Sequence, residues 1–182
     1  MSGHSKWANI KRKKEVTDAK KSKIFSKVSR LIIVAAKNGA DPDSNPSLRL
    51  AVEKAREARM PRENIEKAIQ KGSGQGGDGV FYEAVYEAFG PNGEAFYIKA
   101  LTDNKNRTVA EIRNILNKFG GSMGGAGSTS YIFSPNPDTP SFTIQIDDTN
   151  LAKKMISLLE ELDDHDDVQD VFVNFILPDE LS

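Results

Sequence analysis

Cysteine is absent from the 182 residues, which excludes disulfides, a thiol nucleophile and a thiolate zinc site and fits a reducing compartment. Histidine is nearly as scarce. His4 and His165 are the only two, and neither stands at a spacing that supplies a Ser or carboxylate partner for acyl-transfer chemistry. No run of about 18 apolar residues occurs, so no helix is expected to cross a membrane. The polar, basic start of the chain lacks the apolar stretch of a signal peptide. These absences point to a cytoplasmic, non-enzymatic protein with no cofactor, no metal and no membrane partner.

What is present is a division of charge. The formal net charge is −1, but residues 1–75 hold 18 Lys and Arg against 8 Asp and Glu, while the remainder holds 7 against 18. A basic half of this kind points to a polyanionic partner. Lys6, Lys11, Arg12, Lys13, Lys14, Lys20, Lys21, Lys23, Lys27, Arg30 and Lys37 face only Glu15 and Asp18 before residue 38. Each ammonium or guanidinium near a phosphate releases a condensed counterion, so binding gains free energy and weakens as salt rises. Trp7, the one tryptophan, lies among these charges with Asn9 and His4. Its indole offers a stacking surface for an exposed base, worth about 1–3 kcal/mol. The plainer alternative is a solvated basic tail with Trp7 packed on the helices behind it.

The pattern predicts an α+β protein: an N-terminal three-helix domain followed by a ferredoxin-like α+β domain. Residues 1–71 form the basic helical domain with its arm, 72–79 a Gly-rich linker with five glycines in eight residues, and 80–182 the α+β domain. In the first domain, Ile24, Phe25, Val28, Leu31, Ile32, Ala35 and Ala36 recur at helical spacing. Asn45-Pro46 reads as an N-cap with Pro at the first helical position, and Met60-Pro61 opens a third helix closed by Gly72. In the second, residues 81–89 and 94–102 form a hairpin around Gly90-Pro91-Asn92-Gly93. Thr108 and Glu111 read as a capping box for a helix that stops at Gly120-Gly121. Strands are predicted through Thr129, Tyr131 and Phe133, through Phe142, Ile144 and Ile146, and through Val171, Val173 and Phe175. A helix lined by Leu151, Met155, Leu158, Leu159 and Leu162 precedes the last strand.

Three further clusters carry chemistry less specifically. Asn104, Lys105, Asn106 and Arg107 join a strand to a helix N-terminus, where N–H groups and two cations suit an anion; the same residues also suit an ordinary turn and cap. The glycine runs at 72–79 and 120–127 lack the Gly-Lys-Ser/Thr ending of a phosphate-binding loop, so the second reads as a mobile loop between a helix and a strand. The contiguous run Asp163-Asp164-His165-Asp166-Asp167 lacks the spaced ligands of a cation site and reads as a solvated helix end.

Longer motifs add to this reading. Gly3-His4-Ser5-Lys6-Trp7-Ala8-Asn9-Ile10-Lys11 resembles the opening of the YebC family of bacterial regulators, which includes mitochondrial translational activators. The resemblance continues at Lys23-Ile24-Phe25, Asp41-Pro42-Asp43-Ser44-Asn45-Pro46, Met60-Pro61-Arg62-Glu63-Asn64-Ile65, Leu101-Thr102-Asp103-Asn104-Lys105-Asn106-Arg107-Thr108 and Asp166-Asp167-Val168-Gln169-Asp170-Val171. It implies a three-helix N-terminal domain, α+β domains beyond it and no catalytic activity. The partner it implies is DNA, in a transcriptional regulator, or ribosomal RNA, in a ribosome-associated translation factor. The ribosome or the transcription machinery is a further expected partner, and a third reading is a protein-interaction module using an acidic α+β surface. Where the family carries a further domain after Phe133, this chain has only Ser134–Pro140 and one predicted strand, so it resembles a short form.

Overall fold

The computed structural model describes residues 17–74 and 80–181. The expected arm contacts at Lys6, Trp7, Asn9, Lys11, Arg12, Lys13 and Lys14, and most of the expected linker, lie outside the described residues. The described chain forms two compact units. One is helical and ends with Leu101–Asp103; the other holds Ala84–Ala100 and everything from Asn104 onward.

The helical unit is built from α1 (Asp18–Ala36), α2 (Pro46–Glu57) and α3 (Arg62–Gly72). Thr17 caps α1, accepting from the Lys20 N–H at 3.4 Å. Asn45 caps α2 as its position before Pro46 predicts, and does more. Its Oδ1 accepts from the Leu48 N–H at 3.1 Å, while its Nδ2 donates to the carbonyls of Ala35 at 2.8 Å and Gly39 at 2.9 Å. One buried amide thus satisfies the end of α1 and the start of α2 together. Val28, Ile32, Leu48, Val52, Ala55, Ile65 and Ala68 fill the core between the three helices. Gly72 ends α3 against α1. A Cβ there would stand 2.4 Å from the Ile33 carbonyl oxygen and 2.7 Å from the Ala36 Cβ, so this close approach requires glycine.

The second unit contains the hairpin of β1 (Tyr82–Phe89) and β2 (Ala95–Thr102), then α4 (Lys105–Lys118), β3 (Ser122–Met123), α5 (Ser130–Phe133) and β4 (Ile144–Gln145). α6 (Thr149–Asp164), β5 (Val168–Val173) and β6 (Phe175–Ile176) follow. The outer ends of β1 and β2 group with the helical unit. α4 and α6 bury Ile112, Leu116, Met155, Leu158, Leu159 and Leu162 against Phe96, Ile98, Val171 and Phe175 of the strands. Phe96 and Phe175 meet edge to face with ring centroids 5.5 Å apart.

The α+β class holds, while four local expectations are corrected. The sheet order is β3-β1-β2-β5 rather than that of a ferredoxin-like sandwich, because β1 and β5 occupy both edges of β2. The strand expected around Phe142–Ile146 is reduced to β4, which pairs in parallel with β6 in a separate two-stranded sheet. The strand expected through Thr129, Tyr131 and Phe133 is a helical turn. Ile132 and Phe133 are both buried while Tyr131 is 64% exposed, a pattern that alternation cannot produce. Finally, Thr108 and Glu111 are not a capping box. Asn104 is the N-cap of α4, and the Thr108 hydroxyl and Glu111 carboxylate point elsewhere.

Candidate nucleic-acid interface

α1 turns most of its cations to one side. Its buried positions are Val28, Ile32, Ile33, Ala35 and Ala36. At 3.6 residues per turn, Lys20, Lys23, Lys27 and Arg30 project from the opposite side as one stripe. Lys20, Lys21 and Lys23 are exposed, and Lys27 and Arg30 are half-buried. Lys21 lies off the stripe, 3.5 Å from the Asp18 carboxylate, which is the only acid on the helix. Lys20 and Lys21 stand in the first turn of α1, where a cation opposes the helix dipole at roughly 0.3–1 kcal/mol apiece, with Asp18 beside them.

The stripe also has an anchored end. The Arg30 guanidinium donates to the Leu101 carbonyl at 3.0 Å and lies 4.9 Å from the centre of the Phe81 ring. Lys37 donates to the Phe81 carbonyl at 2.9 Å. Both residues tie α1 to the strand ends within the same unit.

The second expected contact, at the start of α4, is divided. The Asn104 side chain accepts from the Arg107 N–H at 3.1 Å as cap. The Arg107 guanidinium donates to Asp167 Oδ2 at 2.8 Å, and its Nε lies 3.8 Å from Glu111. The Thr108 hydroxyl donates to the same Asp167 oxygen at 2.6 Å. Asn104 and Arg107 thus serve the turn itself, while Lys105 and Asn106 face solvent. Tyr86 donates weakly to the Lys105 carbonyl at 3.5 Å, and burial, then the Asp167 charge, raises its phenol above the usual range.

Asp167 and Glu87 hold structural roles that their sequence context does not announce. Asp167 is buried at the centre of a network in which its N–H donates to His165 Nδ1 at 3.1 Å and His165 Nε2 meets Glu111 at 2.8 Å. The run 163–167 is therefore not uniformly a solvated helix end, since His165 and Asp167 turn inward. Carboxylate and ring atoms of Glu111, His165 and Asp167 lie within 4.8 Å of one another, as in a metal site. The Arg107 cation already stands against Asp167, and each of the three has a hydrogen-bond partner. The cluster is a clamp between α4 and the turn that leads into β5.

Glu87, buried on β1, grips the second glycine run. Its Oε1 accepts from the Thr129 N–H at 2.9 Å and the Thr129 hydroxyl at 2.6 Å, and its Oε2 accepts from the Gly127 N–H. Burial pushes this carboxyl up, but the three donated hydrogen bonds outweigh it and hold the group below the usual carboxylate range. The loop expected to be mobile is tethered at Gly127 and Thr129.

Among the described residues no helix is long and apolar enough to cross a membrane. The comparisons with known proteins agree with the motifs. The family model "TACO1/YebC protein N-terminal domain" matches residues 5–75, and "TACO1/YebC second and third domain" matches residues 81–136. A "probable transcriptional regulatory protein" of Dictyoglomus turgidum is 39% identical over 244 aligned positions that cover 100% of this chain and 98% of the relative. Since this chain has 182 residues, the relative carries a stretch with no counterpart here. One of the same description from Hahella chejuensis is 54% identical over 134 residues, covering 74% of this chain and 54% of its own. The crystal structure of a conserved hypothetical protein from Aquifex aeolicus superposes with a TM-score of 0.82 at 33% identity, covering 91% of this chain and 95% of that one. By these matches, the chain belongs to the TACO1/YebC family.

Proposed function

We propose that this protein is a non-enzymatic regulator of gene expression that grips the phosphate backbone of a nucleic acid through α1 and the basic arm before it. The observation that carries this reading is the stripe of Lys20, Lys23, Lys27 and Arg30 opposite the buried face of α1, on a helix with Asp18 as its one acid. Lys6, Lys11, Arg12, Lys13 and Lys14 extend the same charge toward the N-terminus, and Trp7 supplies an aromatic face among them. Lys105 and Asn106 provide a secondary polar contact. Relatives named probable transcriptional regulatory proteins favour DNA as the polymer. Ribosomal RNA presents the same phosphates and is the alternative to test beside it.

Fluorescence anisotropy with a labelled DNA duplex and with a ribosomal RNA hairpin, each across a range of salt, tests the reading. The expected result is binding whose logarithm falls linearly with the logarithm of salt, about 0.9 per phosphate neutralised on duplex DNA. Absence of binding to both polymers, or affinity indifferent to salt, would refute it. Tighter binding to the RNA would reassign the protein to translation.

A further inference from the structure

We infer that the helical unit holds an unpaired nucleobase in a groove beside the basic stripe, so that its ligand is a single-stranded segment of nucleic acid. This rests on the phosphate-binding reading above and specifies its ligand. The groove lies between α1 and α2 and encloses about 220 Å³. That volume has room for one flat heterocycle. Leu31 and Val34 of α1, Leu50 of α2 and the polar residues Asn38, Lys54 and Glu83 are among those that line it.

Two features favour a base as occupant. The first is chemical: a base presents an apolar face for stacking and a polar edge that needs both donors and acceptors. The amide of Asn38, the ammonium of Lys54 and the carboxylate of Glu83 offer both kinds. The second is charge complementarity along the helix. Lys20, Lys27 and Leu31 recur at intervals of seven and four residues, so they lie nearly on one line of α1, and Asn38 follows just beyond its end. Phosphates following the lysines would bring the attached base to the groove. Leu50 is 61% exposed, so apolar surface of the groove is presented to solvent where the base would lie. In a duplex the bases are stacked inward, and extruding one costs pairing and stacking. An already unpaired segment avoids that cost.

Oligonucleotides of about 12 residues, within the length one such site spans, provide the test. Intact single-stranded RNA, intact single-stranded DNA and a fully abasic backbone of equal length are titrated against the whole protein and its Leu50→Gln variant. Leu50 is largely exposed, and the substitution changes no charge. The expected result is about tenfold tighter binding of an intact strand than of the abasic one. Leu50→Gln should remove most of that preference while leaving the salt slope unchanged. The tighter of the two intact strands identifies the backbone. Equal affinity for intact and abasic strands, as when the groove instead receives an apolar side chain of a protein partner, overturns the inference and leaves the phosphate reading standing. So does a preference untouched by Leu50→Gln. Lack of salt-dependent binding to every strand overturns both.

Discussion

Replacing Glu87 with Gln removes a single charge from a buried site while preserving side-chain size. Glu87 accepts three hydrogen bonds: two from Thr129 at 2.9 and 2.6 Å, and one from the Gly127 N–H. The amide oxygen of Gln can keep the Thr129 pair, but its NH2 would face the Gly127 N–H, donor against donor. The loss is one charge-assisted hydrogen bond plus an unsatisfied backbone donor, about 2–4 kcal/mol. Denaturant-dependent hydrogen exchange at the amides of α6 and β5 reads the stability of this unit. The sign of the pH dependence follows from the lowered folded value. An ionised Glu87 stabilises the fold fully above its ordinary value of 4.5, and the contribution disappears as pH falls through the lower folded value. The gap between wild type and Glu87→Gln should therefore be widest near neutral pH and shrink with acidification. A gap below about 0.5 kcal/mol at neutral pH, or one constant down to strong acid, would show that Glu87 does not hold the loop as described.

Asn45→Ala should cost the helical unit about 2–3 kcal/mol in urea unfolding, since it leaves two carbonyls and one N–H without their buried partner. Gly72→Ala should destabilise the same unit by about 1–3 kcal/mol, because the new methyl meets the Ile33 carbonyl; a stabilised variant would refute the close approach. Asp167→Asn should loosen the start of α4 by about 1–3 kcal/mol, the lower end applying if the half-exposed Arg107 finds water instead. Faster amide exchange at Arg107 and Thr108 would register it.

The helical unit was legible because its signals are local. The Asn45-Pro46 start and the apolar spacing of α1 each depend on residues within a few positions of one another. The amphipathic lines of α4 and α6 were legible for the same reason. Beyond the β1–β2 hairpin the sheet order was not, because the pairings of β3 with β1 and of β5 with β2 join residues far apart in sequence. The stretch 129–133 misled because its Thr, Tyr and Phe favour strands, while the buried Glu87 carboxylate, 42 residues earlier, bends Thr129 into a helical turn. The candidate site divides likewise. The basic stripe of α1 follows from helical spacing alone. That Arg107 is committed to Asp167, and Arg30 to Leu101 and Phe81, comes from partners 60, 71 and 51 residues away. In a run of four aspartates around one histidine, no spacing distinguishes the buried Asp167 from its exposed neighbours.

The most direct measurement compares the salt dependence of nucleic-acid binding for the wild-type chain and a Lys20→Gln, Lys23→Gln, Lys27→Gln triple variant. If these three side chains neutralise phosphates, the slope of log affinity against log salt should become shallower by about 2–3. Helix content should stay unchanged, because Gln matches Lys in helix propensity. An unaltered slope and affinity in a folded triple variant would contradict the assignment of α1 as the phosphate-gripping surface.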